Sequence, residues 1–198
     1  MSDSYFTIDH QGEGIYKEKM SKFLSFSIKI SDPDEAKTII KEYQNKFHDA
    51  RHVCWAYMIG SDRTTWQLND NGEPSGTAGK PILGQINSFG LTDVLVIVVR
   101  YFGGIKLGTP GLIAAYREAA RLALEAAGKI EVHKMQEIKL TFPYAIANEV
   151  MKIVKSEEMT ILDRTFDNSC SIHLSIREDF APRIKKKLLN ISGVTSHE

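Results

Sequence analysis

Apolar residues alternate over residues 23–30 (Leu24, Phe26, Ile28, Ile30), the period of a half-buried strand. Asp32-Pro33-Asp34-Glu35 then reads as a helix start. Asp32 supplies the cap, Pro33 suits the first helical position, and Glu35 can reach back. Ala36, Ile39, Ile40, Tyr43 and Phe47 follow at helical spacing. Strand character returns at 53–59, with 64–68 as its hairpin partner and Asn69-Asp70-Asn71-Gly72 as a turn cluster. A helix beginning at Thr77 or Pro81 and ending at Phe89 carries Ile82, Ile86 and Phe89 on one face. Residues 93–101 form a strand whose unbroken apolar run, 94–99, implies cover on both faces. An Ala-rich helix over 111–127 stops at Gly128.

Beyond Gly128 the pattern restarts. Residues 138–142 alternate as a strand, and Ile146, Val150, Ile153 and Val154 make a helical stripe. Strands at 159–166 and 171–176 flank an Asp167-Asn168-Ser169 turn, and Phe180, Ile184 and Leu188 make a second stripe. This β-α-β-β-α order is a ferredoxin-like unit, to be completed by a short last strand at 191–195 that contains Gly193. The class is therefore α+β with two domains, 1–130 and 131–198, separated near Lys129–Lys134.

Composition narrows the function classes. The longest apolar run is far shorter than the ~20 residues a bilayer-spanning helix needs. Residues 1–16 lack the basic-then-apolar order of a signal peptide. Cys54 and Cys170 are the only cysteines, too few for a stapled secreted scaffold, so a reducing cytoplasmic setting is expected. The 25 basic and 25 acidic residues balance. They also balance on each side of Ile130, so neither part is a generally basic nucleic-acid module.

Candidate chemistry lies in two Gly-rich loops, each leading into a helix. The first, 70–81, contains Glu73, Ser75, Gly76, Thr77, Gly79 and Lys80; its amides at a helix start, with Lys80 beside them, can hold an anion. A nucleotide P-loop is excluded, because six residues separate Gly72 from Gly79 and Pro81 stands at the magnesium-binding Ser/Thr position. The second, 100–111, contains Arg100, Tyr101, Phe102, Gly103, Gly104, Lys106 and Gly108, and follows the buried strand. Its spacing is not GxGxxG, which removes the dinucleotide fingerprint. Tyr101 and Phe102 either stack on a base or pack in the core. Both loops carry a GxxG spacing of the kind that clamps nucleic-acid backbones. Convergence of the two would make a cleft of amides, Lys80, Arg100 and Lys106.

His52 and Cys54 share one face of a strand, and with Glu73 they are the residues a small hydrolase or peptidase would use. Same-face strand neighbours are usually too far apart for a Cys–His nucleophile, so a buried Cys beside an anion-facing His is the better reading. No metal-ligand set or cofactor motif is complete. Arg183-Ile184-Lys185-Lys186-Lys187 reads as the solvated side of an amphipathic helix, with an RNA phosphate contact as the alternative.

At these loops the chain resembles a known family. DNGEPSGTAGKPIL (70–83) and VVRYFGGIKLGTPGL (98–112), with KEKMSKFLSF (17–26) and ARHVCWAY (50–57), are similar in order and spacing to the signatures of the IMPACT family and its bacterial YigZ-like members. Pro110 and Ala114 depart from the pattern, which has Gly and Arg there. The resemblance implies an N-terminal βα sandwich similar to domain 2 of a small-subunit ribosomal protein, and a C-terminal ferredoxin-like domain similar to one in elongation factor G. It also implies a non-enzymatic regulatory role connected with translation, with RNA, the ribosome or translation factors as partners. The family's eukaryotic members act on translation initiation by competing for an activator of a kinase.

Overall fold

The computed structural model describes residues 4–167 and 169–197, so Asn168 of the expected turn lies outside the described residues. The described residues divide into two compact units, 5–132 and 133–197, with Ser4 grouped with the latter.

In the first unit, β1 (Ser4–Thr7) leads to a hairpin of β2 (Gly12–Glu18) and β3 (Ser21–Lys29). Then follow α1 (Pro33–Lys46), a second hairpin of β4 (His52–Ile59) and β5 (Thr65–Asn69), α2 (Gly79–Phe89), β6 (Val94–Tyr101) and α3 (Gly108–Ala127). β7 (Ile130–His133) pairs with β1. Five strands form an antiparallel sheet in the order β2-β3-β6-β4-β5. The apolar run of β6 occupies its centre. Val94, Val96 and Val98 pack with α2 and α3, while Leu95, Ile97 and Val99 pack with the buried side of α1. The start of α1 is built as its sequence implies: Asp32 Oδ1 accepts the amides of Asp34 and Glu35 at 2.9 Å each. Glu35 reaches back to the Ser31 amide at 2.7 Å.

β2 has no apolar alternation because Gly12 and Gly14 precede Tyr16 on its inner face. A Cβ on Gly12 would lie 2.1 Å from the Ala123 carbonyl oxygen and 2.8 Å from Ala127 Cβ of α3. The Ala side of α3 thus lies almost against backbone, and Ser27 Oγ donates to that same Ala123 carbonyl at 3.0 Å. α3 starts at Gly108, three residues before the expected Gly111. Pro110 does not prevent this, because the amides of a first helical turn have no intrahelical acceptor.

The second unit runs β8 (Met135–Pro143), α4 (Ala147–Ser156), β9 (Thr160–Thr165), β10 (Ser169–Arg177), α5 (Ala181–Leu189) and β11 (Thr195–His197). Its antiparallel sheet has the order β11-β8-β10-β9, the ferredoxin-like arrangement. One face, including Ile138, Leu140, Phe142, Ile172 and Leu174, packs with Val150 and Val154 of α4 and Ile184 and Leu188 of α5. The last strand begins at Thr195, later than its apolar residues suggest. Ile191 and Val194 are used as core in the turn before it, where Gly193 takes a φ of 95°. In the basic run of α5, Arg183 and Lys187 bond Glu157 at 2.7 and 2.8 Å and hold its carboxyl down to about 2. Among the described residues no helix is long and apolar enough to cross a membrane.

The β2–α3 contact gives a direct test. Gly12→Ala is expected to destabilise the first unit by roughly 1–3 kcal/mol through overpacking. Gly84→Ala in α2, where a Cβ meets nothing within 4 Å, should stabilise it by about 0.4–1 kcal/mol. Both tryptophans, Trp55 and Trp66, lie in this unit, so urea denaturation followed by tryptophan fluorescence reads both changes.

Candidate functional site

The end of the sheet where β6 stops is the part of the first unit richest in buried charge. Strand alternation turns Arg100 toward the α2/α3 face, where its register neighbours are Phe23 on β3 and His52 on β4. Arg100 is only 5% exposed. Its Nη1 donates to Glu73 Oε1 at 2.6 Å, so the loop over residues 70–78 is tied to the central strand by a buried ion pair. Tyr116 of α3 donates its hydroxyl to the same oxygen at 2.8 Å, and burial, with Cys54 and that carboxylate beside it, drives the phenol well above its ordinary pKa. Strand, loop and helix therefore meet on one carboxylate.

His52 Nδ1 lies 2.8 Å from the Asn71 carbonyl oxygen, which can only accept, so Nδ1 carries the hydrogen. Its Nε2 is 3.8 Å from Glu73 Oε1, beyond a hydrogen bond. The Arg100 guanidinium lies 5.6 Å from the Phe23 ring centre and 5.5 Å from that of Phe102. Its buried Nε has no acceptor among the described residues.

His52, Glu73, Arg100 and Phe102 line a cavity of about 530 Å³. Arg51, Gly72 and Pro74 border it from the β4 end and the first loop, and Phe102, Lys106, Leu107, Gly108, Thr109 and Leu112 from the second loop and α3. The two loops contribute differently. In the first, Asp70 takes the amides for itself: Oδ2 accepts from Gly76 at 2.9 Å, and Oδ1 from Ala78 at 3.0 Å and Gly79 at 2.8 Å. The anion at the start of α2 is thus a side chain of the protein, and the expectation of a free amide nest there is corrected. The second loop is the converse. α3 has Leu107 as its cap residue, no side-chain cap bond and no acidic residue in its first turn. Leu107, Gly108 and Thr109 all border the cavity, so the positive end of a 20-residue helix opens onto it.

Of the residues expected at a site, the cavity unites His52, Glu73, Arg100, Lys106 and Gly108. Ser75 is exposed outside it, Thr77 is buried with its hydroxyl on the Pro74 carbonyl at 2.6 Å, and Gly79 packs on Leu68. Gly76 and Lys80 line a separate depression with Arg117 of α3. Tyr101 is one residue on from Arg100 and so faces the α1 side, where its hydroxyl donates to Asp49 at 2.9 Å. Gly103 is pressed on the backbone of Met20, and Gly104 is exposed. Tyr116 and Asp70 were missed by motif reading. Tyr116 has a visible signal, a phenol within the buried Leu112, Ala115, Ala119, Ala120 stripe. Asp70 reads only as a turn residue until its six- to nine-residue reach is known.

A Cys–His nucleophile is not assembled. Cys54 is fully buried and directs its thiol to the Asp70 carbonyl at 3.0 Å and the Tyr116 hydroxyl at 3.3 Å, while His52 is committed to Asn71. Burial pushes the Cys54 thiol up to about 12. Cys54 and Cys170 are both free and buried. No group of three or more His, Cys, Asp or Glu that could hold a metal occurs among the described residues.

A two-unit chain with a five-stranded antiparallel sheet between helices and a ferredoxin-like second unit has an architecture that a known structure shares. Residues 19–124 match the Impact N-terminal domain. The chain is 32% identical to the Bacillus subtilis IMPACT family member YvyE over 96% of its own length and 84% of that protein's. It is 40% identical to Escherichia coli YigZ over 54% of this chain and 53% of the other. A crystal structure of a hypothetical protein superposes with a TM-score of 0.77 and 25% identity, covering 99% of this chain and 97% of that one. The chain belongs to the IMPACT family.

Two predictions follow from the polar cluster. Arg100→Met, which strands the Glu73 carboxylate, should cost roughly 3–5 kcal/mol; the Arg100→Met/Glu73→Met pair should cost less than the sum of the two single changes, read by urea denaturation. Cys54 should resist alkylation at pH 8 until the chain is denatured. Its folded pKa lies above the ordinary 9.0, so the proton it keeps is one the unfolded chain releases. That contribution to stability is full below about pH 9 and is lost as pH rises toward 12, and Cys54→Ala should flatten this part of the stability–pH curve.

Proposed function

We propose that this protein is a non-enzymatic, regulatory RNA-binding protein that acts on the translation machinery and holds a phosphate group in the cavity between Arg51 and Lys106. The observation that carries the reading is the uncapped start of α3 opening beside the buried Arg100. A helix end of this kind favours an anion, and none of the protein's own carboxylates caps it. Arg100 and Glu73 offset one another, so Arg51, Lys106 and the helix end supply the surplus positive charge. That surplus is local, in keeping with a chain of zero net charge. Family membership supports the regulatory part of the reading, and the committed bonds of Cys54 and His52 weigh against nucleophilic catalysis.

Binding of a labelled single-stranded RNA, measured by fluorescence anisotropy across a salt series, tests this. Affinity should fall with salt, and Arg51→Gln/Lys106→Gln should weaken binding and flatten the salt slope by about two phosphate contacts' worth. Lys80→Gln, outside the cavity, should leave both unchanged. RNA binding that survives loss of Arg51 and Lys106 but not of Lys80 would move the interface to the outer side of α2 and α3.

A further inference from the structure

The outer strands of a sheet leave a row of backbone N–H and C=O groups that another chain can pair with, and folded proteins guard such edges. In this chain most of them are guarded. β1 and β7 have four residues each and β11 has three, which gives a partner little to pair with. β9 carries Asp163 and Arg164, and a bulge interrupts its register with β10 between His173 and Leu174. β2 carries Glu13, Lys17 and Glu18.

β5 is the exception. It closes the five-stranded sheet beside β4 with Thr65-Trp66-Gln67-Leu68-Asn69, a segment without charge, proline, glycine or bulge. Among the described residues, no backbone bond from outside the sheet ends on it. Met58, the register partner of Trp66, belongs to the core beneath α2 and α3. Trp66 and Leu68 therefore share that face. Leu68 packs on the core, while Trp66 is 54% exposed. An uncharged edge and an open tryptophan thus occur on the same five residues.

We infer that β5 is a self-association strand: two copies of the chain pair β5 to β5, antiparallel, and join their sheets into one. The partner is a second copy because this edge is its own complement. Its alternating donors and acceptors match another uncharged extended strand, and a strand paired antiparallel with itself has the two-fold symmetry of a closed dimer. An axis perpendicular to the sheet keeps the α2/α3 face of both copies on one side. The two Trp66 side chains then come together there and are covered, the usual place of a large aromatic in an interface. On the opposite face Gln67 accepts the Tyr57 hydroxyl at 3.0 Å, which fixes the strand before a partner arrives. β5 contributes no residue to the cavity, so self-association and the RNA reading stand or fall separately.

Sedimentation equilibrium of the intact protein from about 1 to about 500 µM, the range in which a small interface associates, tests this. A monomer–dimer equilibrium is expected. Trp66→Lys and Thr65→Lys, both at exposed positions, give β5 the kind of charge that guards β2 and β9. Each should weaken dimerisation at least about tenfold. Ile15→Lys, at a position 59% exposed on β2, should leave it unchanged. Amide hydrogen exchange over residues 65–69 should slow as concentration rises, and should not do so in the two β5 variants. Tryptophan-monitored denaturation, which Trp55 still reports in Trp66→Lys, verifies that the variants are folded. A chain that stays monomeric over the whole range would overturn the inference. A dimer that survives both β5 changes, or one that is lost with Ile15→Lys instead, would overturn it as well, because the interface would then lie elsewhere.

Discussion

A carboxylate brought to a buried guanidinium organises this end of the molecule. Glu73 comes from an irregular loop, Arg100 from the central strand and Tyr116 from the longest helix, and they share one oxygen atom. Breaking such a pair one partner at a time leaves a charge without solvent or counter-charge, which is why its geometry is tightly determined. The loop has other anchors: Asn71 accepts the Val53 amide at 2.8 Å, and Asp70 fastens the start of α2. The cavity is thus bordered by backbone that the fold holds in place, the condition for recognising a ligand without first ordering a loop.

The two glycine-rich segments look alike as strings and behave differently in space. One folds around an internal carboxylate, so its amides have no need of a ligand. The other leads into a helix whose first turn has no capping side chain. This difference decides which of two similar loops keeps its helix start free of an internal carboxylate, and it depends on a single acidic residue present in one and not the other.

Much of this was legible from residue order. Period-two and period-3.6 patterns located the central strands and the five α-helices of the described residues, and the β-α-β-β-α order pointed to the ferredoxin-like unit. β2 escaped because two of its inward positions are Gly12 and Gly14: there the helix approaches so closely that no apolar side chain fits to signal burial, and Tyr16 alone follows them on that face. β11 was displaced because Ile191 and Val194 fill the core from a turn. At the site, alternation along β6 already separates Arg100 from Tyr101, so a stricter use of strand period would have assigned them to opposite faces. The occupation of the first loop by Asp70 was not legible, since a hydrogen bond across six to nine irregular residues leaves no periodic trace.

The bare start of α3 also bears on how this fold would respond to improvement. An acidic side chain at Thr109 would complement the helix dipole, a gain of about 0.3–1 kcal/mol by ordinary helix rules. The same carboxylate would stand at the border of the cavity and occupy the place of an anion. A thermostability screen scored on melting temperature alone would therefore enrich variants that reverse the charge of this opening, and its winners would differ from the starting protein at the border of the cavity.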